Sequence, residues 1–404
     1  MPVRDNVEIG LNRFARRGYD LDEVSLVPSR RTRDVDDVST AWQIDAFRFE
    51  IPLVASPSDA VVSPATAVAI GQAGGLGVLN AEGLWTRYDD PTDVLRRLRE
   101  AAGPDSGPPT SLLQEVYAEP VKPDLVAARV KELADSGVTT AVRVSPQHTL
   151  RLAPAVLAAG IDLLVIQGTI VSAEHVTTTG DALNLKEFIA DLDVPVIVGG
   201  AADYQTALHL MRTGAAGVVV GVGADSWSTG DAVMGIRVPL ASAIADAAAA
   251  RRDYLDETGG RYVHVIANGR IETSGAIARA LACGADAVQL GEPLRVAQEA
   301  PGGGVWWDSV AAHPRLPRGG ASTAAAPRGT LEQVLLGPAE AADGRTNLFG
   351  ALRRTMAKTG YRDLKEFQRV DLVIGGGTPQ EGTPGGHGIG GRGGTVDAPA
   401  HRVG

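Results

Sequence analysis

The chain is poor in cysteine, in long apolar runs and in positive charge. Its single cysteine, Cys283, excludes an intramolecular disulfide and any multi-cysteine metal centre. No run of 18 apolar residues occurs, so no membrane-spanning helix is expected. The opening stretch MPVRDNVEIGLNRFARRGYD lacks the apolar segment of a secretory signal, and a cytoplasmic location is the expectation. Lys and Arg number 38 against 48 Asp and Glu, a net charge of −10 that disfavours nucleic acid as a partner. What is present is 404 residues, 44% of them hydrophobic, with 49 glycines and Ala-rich runs. This composition fits a tightly packed α/β protein, and the length suits one barrel of about 250 residues with insertions.

Short apolar blocks at 51–55, 77–79, 140–144, 163–166, 194–198, 217–220, 262–267 and 287–290 read as eight strands. Each is a continuous block rather than an alternating one, as in a parallel sheet covered on both faces. Helical patterns follow most of them, at 64–71, 91–102, 122–136, 146–159, 184–191, 204–213, 239–258 and 274–283. Eight such units predict a closed (β/α)8 TIM barrel, with an open doubly wound sheet as the alternative. Residues 1–50 read as mixed and irregular, and 103–123 as a Pro/Gly-interrupted insertion. The Gly/Pro/Ala-rich stretch 301–338 is too long for an ordinary loop and predicts a flap or disorder. Residues 348–359 predict a final helix. Residues 1–374 thus form one barrel domain, and 375–404 a disordered Gly/Pro-rich tail.

The stretch 261–294 is the most informative. It reads strand, Gly-bearing turn, helix, strand, turn, with Ser274 at the helix N-cap. A Ser-Gly helix start beside a strand-ending glycine offers free N–H groups and a positive helix end, suited to a phosphate. An ordinary βαβ unit fits the same spacing equally well.

Several segments together resemble the IMP dehydrogenase/GMP reductase family, most closely its short paralogue group without inserted regulatory CBS domains. They are YDLDEVSLVPS at 19–29, IPLVASPSD at 51–59, GGLGVLN at 74–80, GAAGVVVGVG at 214–223, the phosphate-type stretch 262–291, and LFGALRRTM at 348–356. The resemblance implies a (β/α)8 barrel in a homotetramer or octamer. It implies an oxidoreductase of purine nucleotide metabolism and GMP biosynthesis that binds a purine 5′-monophosphate at the strand C-termini beside NAD or NADP. In that chemistry a cysteine thiolate attacks purine C2, because a thiolate is nucleophilic near neutral pH and also a workable leaving group. Carried onto this chain, the substrate-binding positions are Asp59, Asn268, Gly269, Ser274, Gly275 and Gly291.

The reactive centre departs from that pattern. Aligning Gly221 and Pro239 without a gap puts Ser228 at the cysteine position, with Thr229 as the retained neighbour. A serine hydroxyl needs a dedicated base. Asp225 and Asp231 in this loop read as solvated carboxylates, and Cys283, on a helix between strands, reads as a core residue. Asn268 stands for an aspartate that holds ribose hydroxyls, Arg270 for a glycine, Ser58 for a methionine and Gln167-Gly168 for a cofactor-facing aspartate. Glu292 stands for a serine near the phosphate and must turn away or pair with Arg270 or Arg295. Arg315 and Arg318 lie in the flap, where the family activates water with Arg and Tyr, but no tyrosine occurs between Tyr262 and Tyr361. The expectation is a nucleotide-binding oxidoreductase-like protein whose thiol-dependent turnover is weak or absent. The alternative is an inactive nucleotide-binding regulator or assembly partner of an active paralogue.

Overall fold

The structure, a computed structural model, describes residues 6–102, 109–173, 175, 182–222 and 228–375. Its centre is a closed barrel of eight parallel strands: β1 Leu53–Ala55, β2 Leu76–Asn80, β3 Ala141–Val144, β4 Leu163–Gln167, β5 Val196–Ala201, β6 Gly217–Val220, β7 His264–Asn268 and β8 Ala287–Leu290. The ring shuts where β8 pairs with β1, with Val288 opposite Leu53 and Leu290 opposite Ala55. All eight expected strands are present, and the open-sheet alternative is excluded. Nearly every strand residue is buried, because barrel side chains fill the interior on one face and meet helices on the other.

Helices wrap the barrel in the expected order, among them Pro64–Gln72 after β1, Tyr204–Arg212 after β5, Leu240–Thr258 after β6 and Ser274–Ala282 after β7. Two sequence readings need correction. Residues 1–50 are not irregular: they hold a hairpin Asn6–Gly10/Arg13–Arg16, a second hairpin Trp42–Ile44/Phe47–Phe49, and a strand Val24–Leu26 that pairs with Leu372–Ile374. The insertion after β2 contains the helix Thr110–Val116, with residues 103–108 outside the described residues. The expected disordered tail falls, beyond Gly375, outside the described residues, as does Asp225.

The second hairpin plugs the N-terminal end of the barrel. Ile44 is fully buried, and a Cβ on Gly217 would sit 3.2 Å from its Cδ1. Trp42 stacks on Phe49 and meets His264 edge-on. Beside this plug lies a buried ion cluster. Asp286 accepts from Arg251 at 2.6 Å, from Lys365 at 2.6 Å, from the Tyr262 hydroxyl at 2.7 Å and from the Val265 amide at 2.8 Å. Lys365 belongs to the C-terminal helix Leu364–Phe367, so the cluster ties the end of the domain to its core.

Burial alone would raise the Asp286 pKa, but Arg251 and Lys365 outweigh it and hold the carboxyl well below the usual range. Asp286→Asn leaves Arg251 buried without its counter-charge, and a loss of about 3–5 kcal/mol is expected in urea unfolding. Burial also pushes His264 down to about 4. Its contribution is therefore complete above the unfolded histidine pKa of about 6.5 and is lost as pH falls toward 4. The unfolding midpoint should drop across that window, and by less in His264→Gln.

Candidate active site at the barrel mouth

The C-terminal ends of the strands converge on a cleft framed by Ser56 after β1, Gln167 at the end of β4, Gly221 after β6 and Asn268 at the end of β7. Gly221 must be glycine: at φ 138° its Cβ would lie 1.7 Å from the Asn268 carbonyl oxygen. Below the cleft the Gln167 and Gln289 amides pair with each other across the barrel at 2.8 and 3.0 Å. Arg143 on β3 donates to the Gln167 carbonyl at 2.6 and 3.0 Å and to Asn80 and Glu82, each at 3.3 Å. Glu82 also accepts from the Ser145 amide at 2.6 Å and bonds His148 Nδ1. Burial opposes ionisation of Glu82, yet His148 and Arg143 bring its pKa down to about 2, so it is a fixed negative charge. Sequence reasoning missed this cluster, whose members come from three different strand ends.

Ser228 lines the cleft. Its Oγ accepts from the Gly230 amide at 3.2 Å. Thr229 precedes the short helix Gly230–Met234, and Asp231 is exposed. Cys283 caps the C-terminal end of Ser274–Ala282 on the outside of the barrel, where burial pushes its thiol up to about 11. Neither its place nor its protonation suits a nucleophile.

The stretch 301–338 is an ordered cover over this cleft. The Thr229 amide donates to the Arg318 carbonyl at 2.8 Å, and Ser228 bridges to Gly319. Asp308 and Arg318 line the cleft; Arg315 does not. The cover is clamped by Arg295, which donates to the Gly304 and Thr323 carbonyls at 2.8 and 2.9 Å. It is anchored by Trp307, whose indole N–H donates to the Tyr117 hydroxyl at 2.9 Å. Tyr117 in turn donates to Asp59 at 2.6 Å, and Ser58 Oγ donates to the Trp307 carbonyl at 2.5 Å. Under this cover the cleft has a volume of about 80 Å³. Ligand sites usually span about 300–1,000 Å³, so the cleft beneath the cover is smaller than a typical ligand site.

The expected phosphate residues are placed as follows. Asn268, Gly269 and Gly291 line one small pocket of about 40 Å³, together with Glu272, Glu292, Trp306 and Asp308. Gly291 carries the Trp306 ring, since a Cβ there would lie 2.2 Å from Trp306 Cη2. Glu292 pairs with Arg295 at 2.7 Å, and Arg270 pairs with Glu272 at 3.3 Å. Ser274 is the first helical residue rather than the N-cap. That position belongs to Thr273, which has extended backbone and accepts from the Ala276 amide at 3.2 Å. The Ser274 amide donates to the Gly344 carbonyl at 2.8 Å, so the chain itself takes up that amide, while Gly275 is exposed. Asp59 is 1% exposed and sits behind the cleft wall against Tyr117.

Burial raises the Asp59 pKa to about 6, against the lowering effect of Tyr117. A carboxyl held above its unfolded value costs stability as pH rises from about 4 through 6. Asp59→Asn should therefore gain about 1–3 kcal/mol over the natural chain at pH 8 and nothing near pH 4, read from paired thermal melts.

Comparisons with known proteins agree with this architecture. The IMP dehydrogenase / GMP reductase domain matches residues 18–375. The chain is 60% identical to an uncharacterized oxidoreductase of Mycobacterium tuberculosis (strain ATCC 25618 / H37Rv), over 92% of this chain and 100% of that one. It is 31% identical to the inosine-5′-monophosphate dehydrogenase of Aquifex aeolicus, over 62% of this chain and 50% of that enzyme. The crystal structure of an IMP dehydrogenase/GMP reductase-like protein from Corynebacterium glutamicum superposes with a TM-score of 0.87 at 53% identity, covering 92% of this chain and 98% of that one. The barrel, the mouth that gathers Ser228 with Asn268, and these matches together show that the chain belongs to the IMP dehydrogenase/GMP reductase family of oxidoreductase-like proteins.

Proposed function

We propose that this protein binds a purine 5′-monophosphate at the barrel mouth and that thiol-dependent turnover there is weak or absent. The observation that supports the reading is that Ser228 lines the mouth, while the sole thiol lies on the outer helix. An alkoxyl needs a base to act near neutral pH, and loss of one transition-state group commonly costs several kcal/mol. Asn268, Gly269 and Gly291 would frame the nucleotide, with Glu272 and Glu292 neutralised by the arginines beside them. A nicotinamide cofactor, NAD or NADP, supplies hydride chemistry when bound. Thr169 fits such a second ligand: it lines the cleft, and its Oγ1 is buried without a partner among the described residues. The closed cover, with Trp306 seated on Gly291, favours a second reading in which the protein is a nucleotide-binding regulator or assembly partner rather than an enzyme.

Calorimetric titration with IMP, XMP and GMP, each with and without NAD+ or NADPH, should give saturable binding of one nucleotide. A folded protein that binds none of them contradicts both readings. Ser228→Cys should acquire covalent labelling by a purine nucleotide carrying an electrophilic C2, with turnover about 10²-fold or more above the natural chain. An unlabelled variant means that Ser228 is not at the reacting position.

A further inference from the structure

A second cavity, of about 490 Å³, flanks the plugged N-terminal end of the barrel, far larger than the 80 Å³ cleft beneath the cover. Its walls come from the start of β5, from Gly214 and Ala216 before β6, from Arg261 before β7, and from the helices Leu185–Ala190 and Leu240–Thr258. Its volume lies in the range of small-molecule sites. Ile189 and Val196 give it an apolar floor. Tyr254 lines it while only 5% exposed, and the Tyr254 hydroxyl makes no hydrogen bond among the described residues. A buried tyrosine hydroxyl ordinarily has a partner, so this one is left for a ligand.

The rim carries charges of both signs that do not neutralise one another. Lys186 and Arg261 form no ion pair among the described residues, and neither do Asp45 and Asp193. Arg212, the third cation, is engaged by Glu257 at 2.8 Å. Arg261 is held in place at both ends: its amide donates to Thr258 Oγ1 at 3.1 Å, and its Nη2 donates to the Gly214 carbonyl. Its other guanidinium N–H groups stay open, in the fork that suits a carboxylate. We propose that this cavity binds a free α-amino acid with an apolar side chain. Its carboxylate would meet Arg261 and Lys186, its ammonium group Asp45 and Asp193, and its side chain the floor beside Ile189 and Tyr254. A simple anion is repelled by the two aspartates and a simple cation by the basic residues, whereas a zwitterion satisfies both. Asp45 lies in the turn of the hairpin that plugs the barrel, so the ligand would tie that hairpin to the outer helices. The site is separate from the mouth and does not rest on the reading given for it.

The test is methyl NMR on the full 404-residue chain, following the Ile189 δ1-methyl, assigned through Ile189→Val, during titration with L-leucine and L-phenylalanine. Phenylacetate and phenethylamine serve as probes carrying one charge each. The expected result is a saturable shift with at least one amino acid, and affinities at least about 10-fold weaker for both single-charge probes. Arg261 and Lys186 are solvent-exposed, so Arg261→Gln and Lys186→Gln should fold as the natural chain does by far-UV circular dichroism. Each should weaken amino-acid binding about 10-fold. An Ile189 methyl unmoved by either amino acid at about 10 mM overturns the proposal, as does undiminished binding in both variants. Phenylacetate binding as tightly as L-phenylalanine overturns it in favour of a simple anion site.

Discussion

The pairing of β8 with β1 is the constraint on which the rest depends. Once the sheet closes, residues far apart in the chain share one mouth: Ser56, Arg143, Gln167, Gly221, Asn268 and the loop bearing Ser228. The shortest side chains sit where backbones crowd, as at Gly221 against the Asn268 carbonyl. Closure also sets the two ends apart. The N-terminal end is sealed by an apolar hairpin and a saturated ion cluster, and the C-terminal end is left polar and concave. This division follows the general behaviour of the fold, in which stability is built at one end and ligand chemistry at the other.

The mouth is governed by what lies over it. Trp307 reaches Tyr117 and through it Asp59, while Arg295 holds the cover through two backbone carbonyls and the Ser322 hydroxyl and pairs with Glu292. The same arginine therefore neutralises a carboxylate in the cradle and secures the segment that closes it. A buried carboxyl near 6 beneath Tyr117 makes the anchor less stable at alkaline than at mildly acid pH. Ser228 lines this mouth, the sole thiol lies on an outer helix, and the protein's own indole and loop lie over the cleft.

The eight strands were legible because a parallel barrel buries both faces, so each strand is a short apolar block. The first 50 residues were not. Their hairpins have strands of three to five residues and turn at Asn12 and Asp45, non-glycine residues with positive φ, so neither strand length nor turn chemistry stands out. The cap at Thr273 was misread as Ser274 because both side chains can cap, and only the backbone conformation decides between neighbours.

What the sequence determined by itself is the barrel, its family and the place of Cys283 on an outer helix, because those rest on local composition and residue order. Tertiary structure alone decided which arginine meets Glu292, that Asp59 is sealed behind Tyr117, that Glu82, Arg143 and His148 form one cluster, and that the 301–338 stretch closes the mouth. Apart from the local Glu292–Arg295 pair, those outcomes depend on contacts between residues tens to hundreds of positions apart, and such contacts leave no mark in a local pattern. They exist only once closure of the ring has fixed where each strand ends.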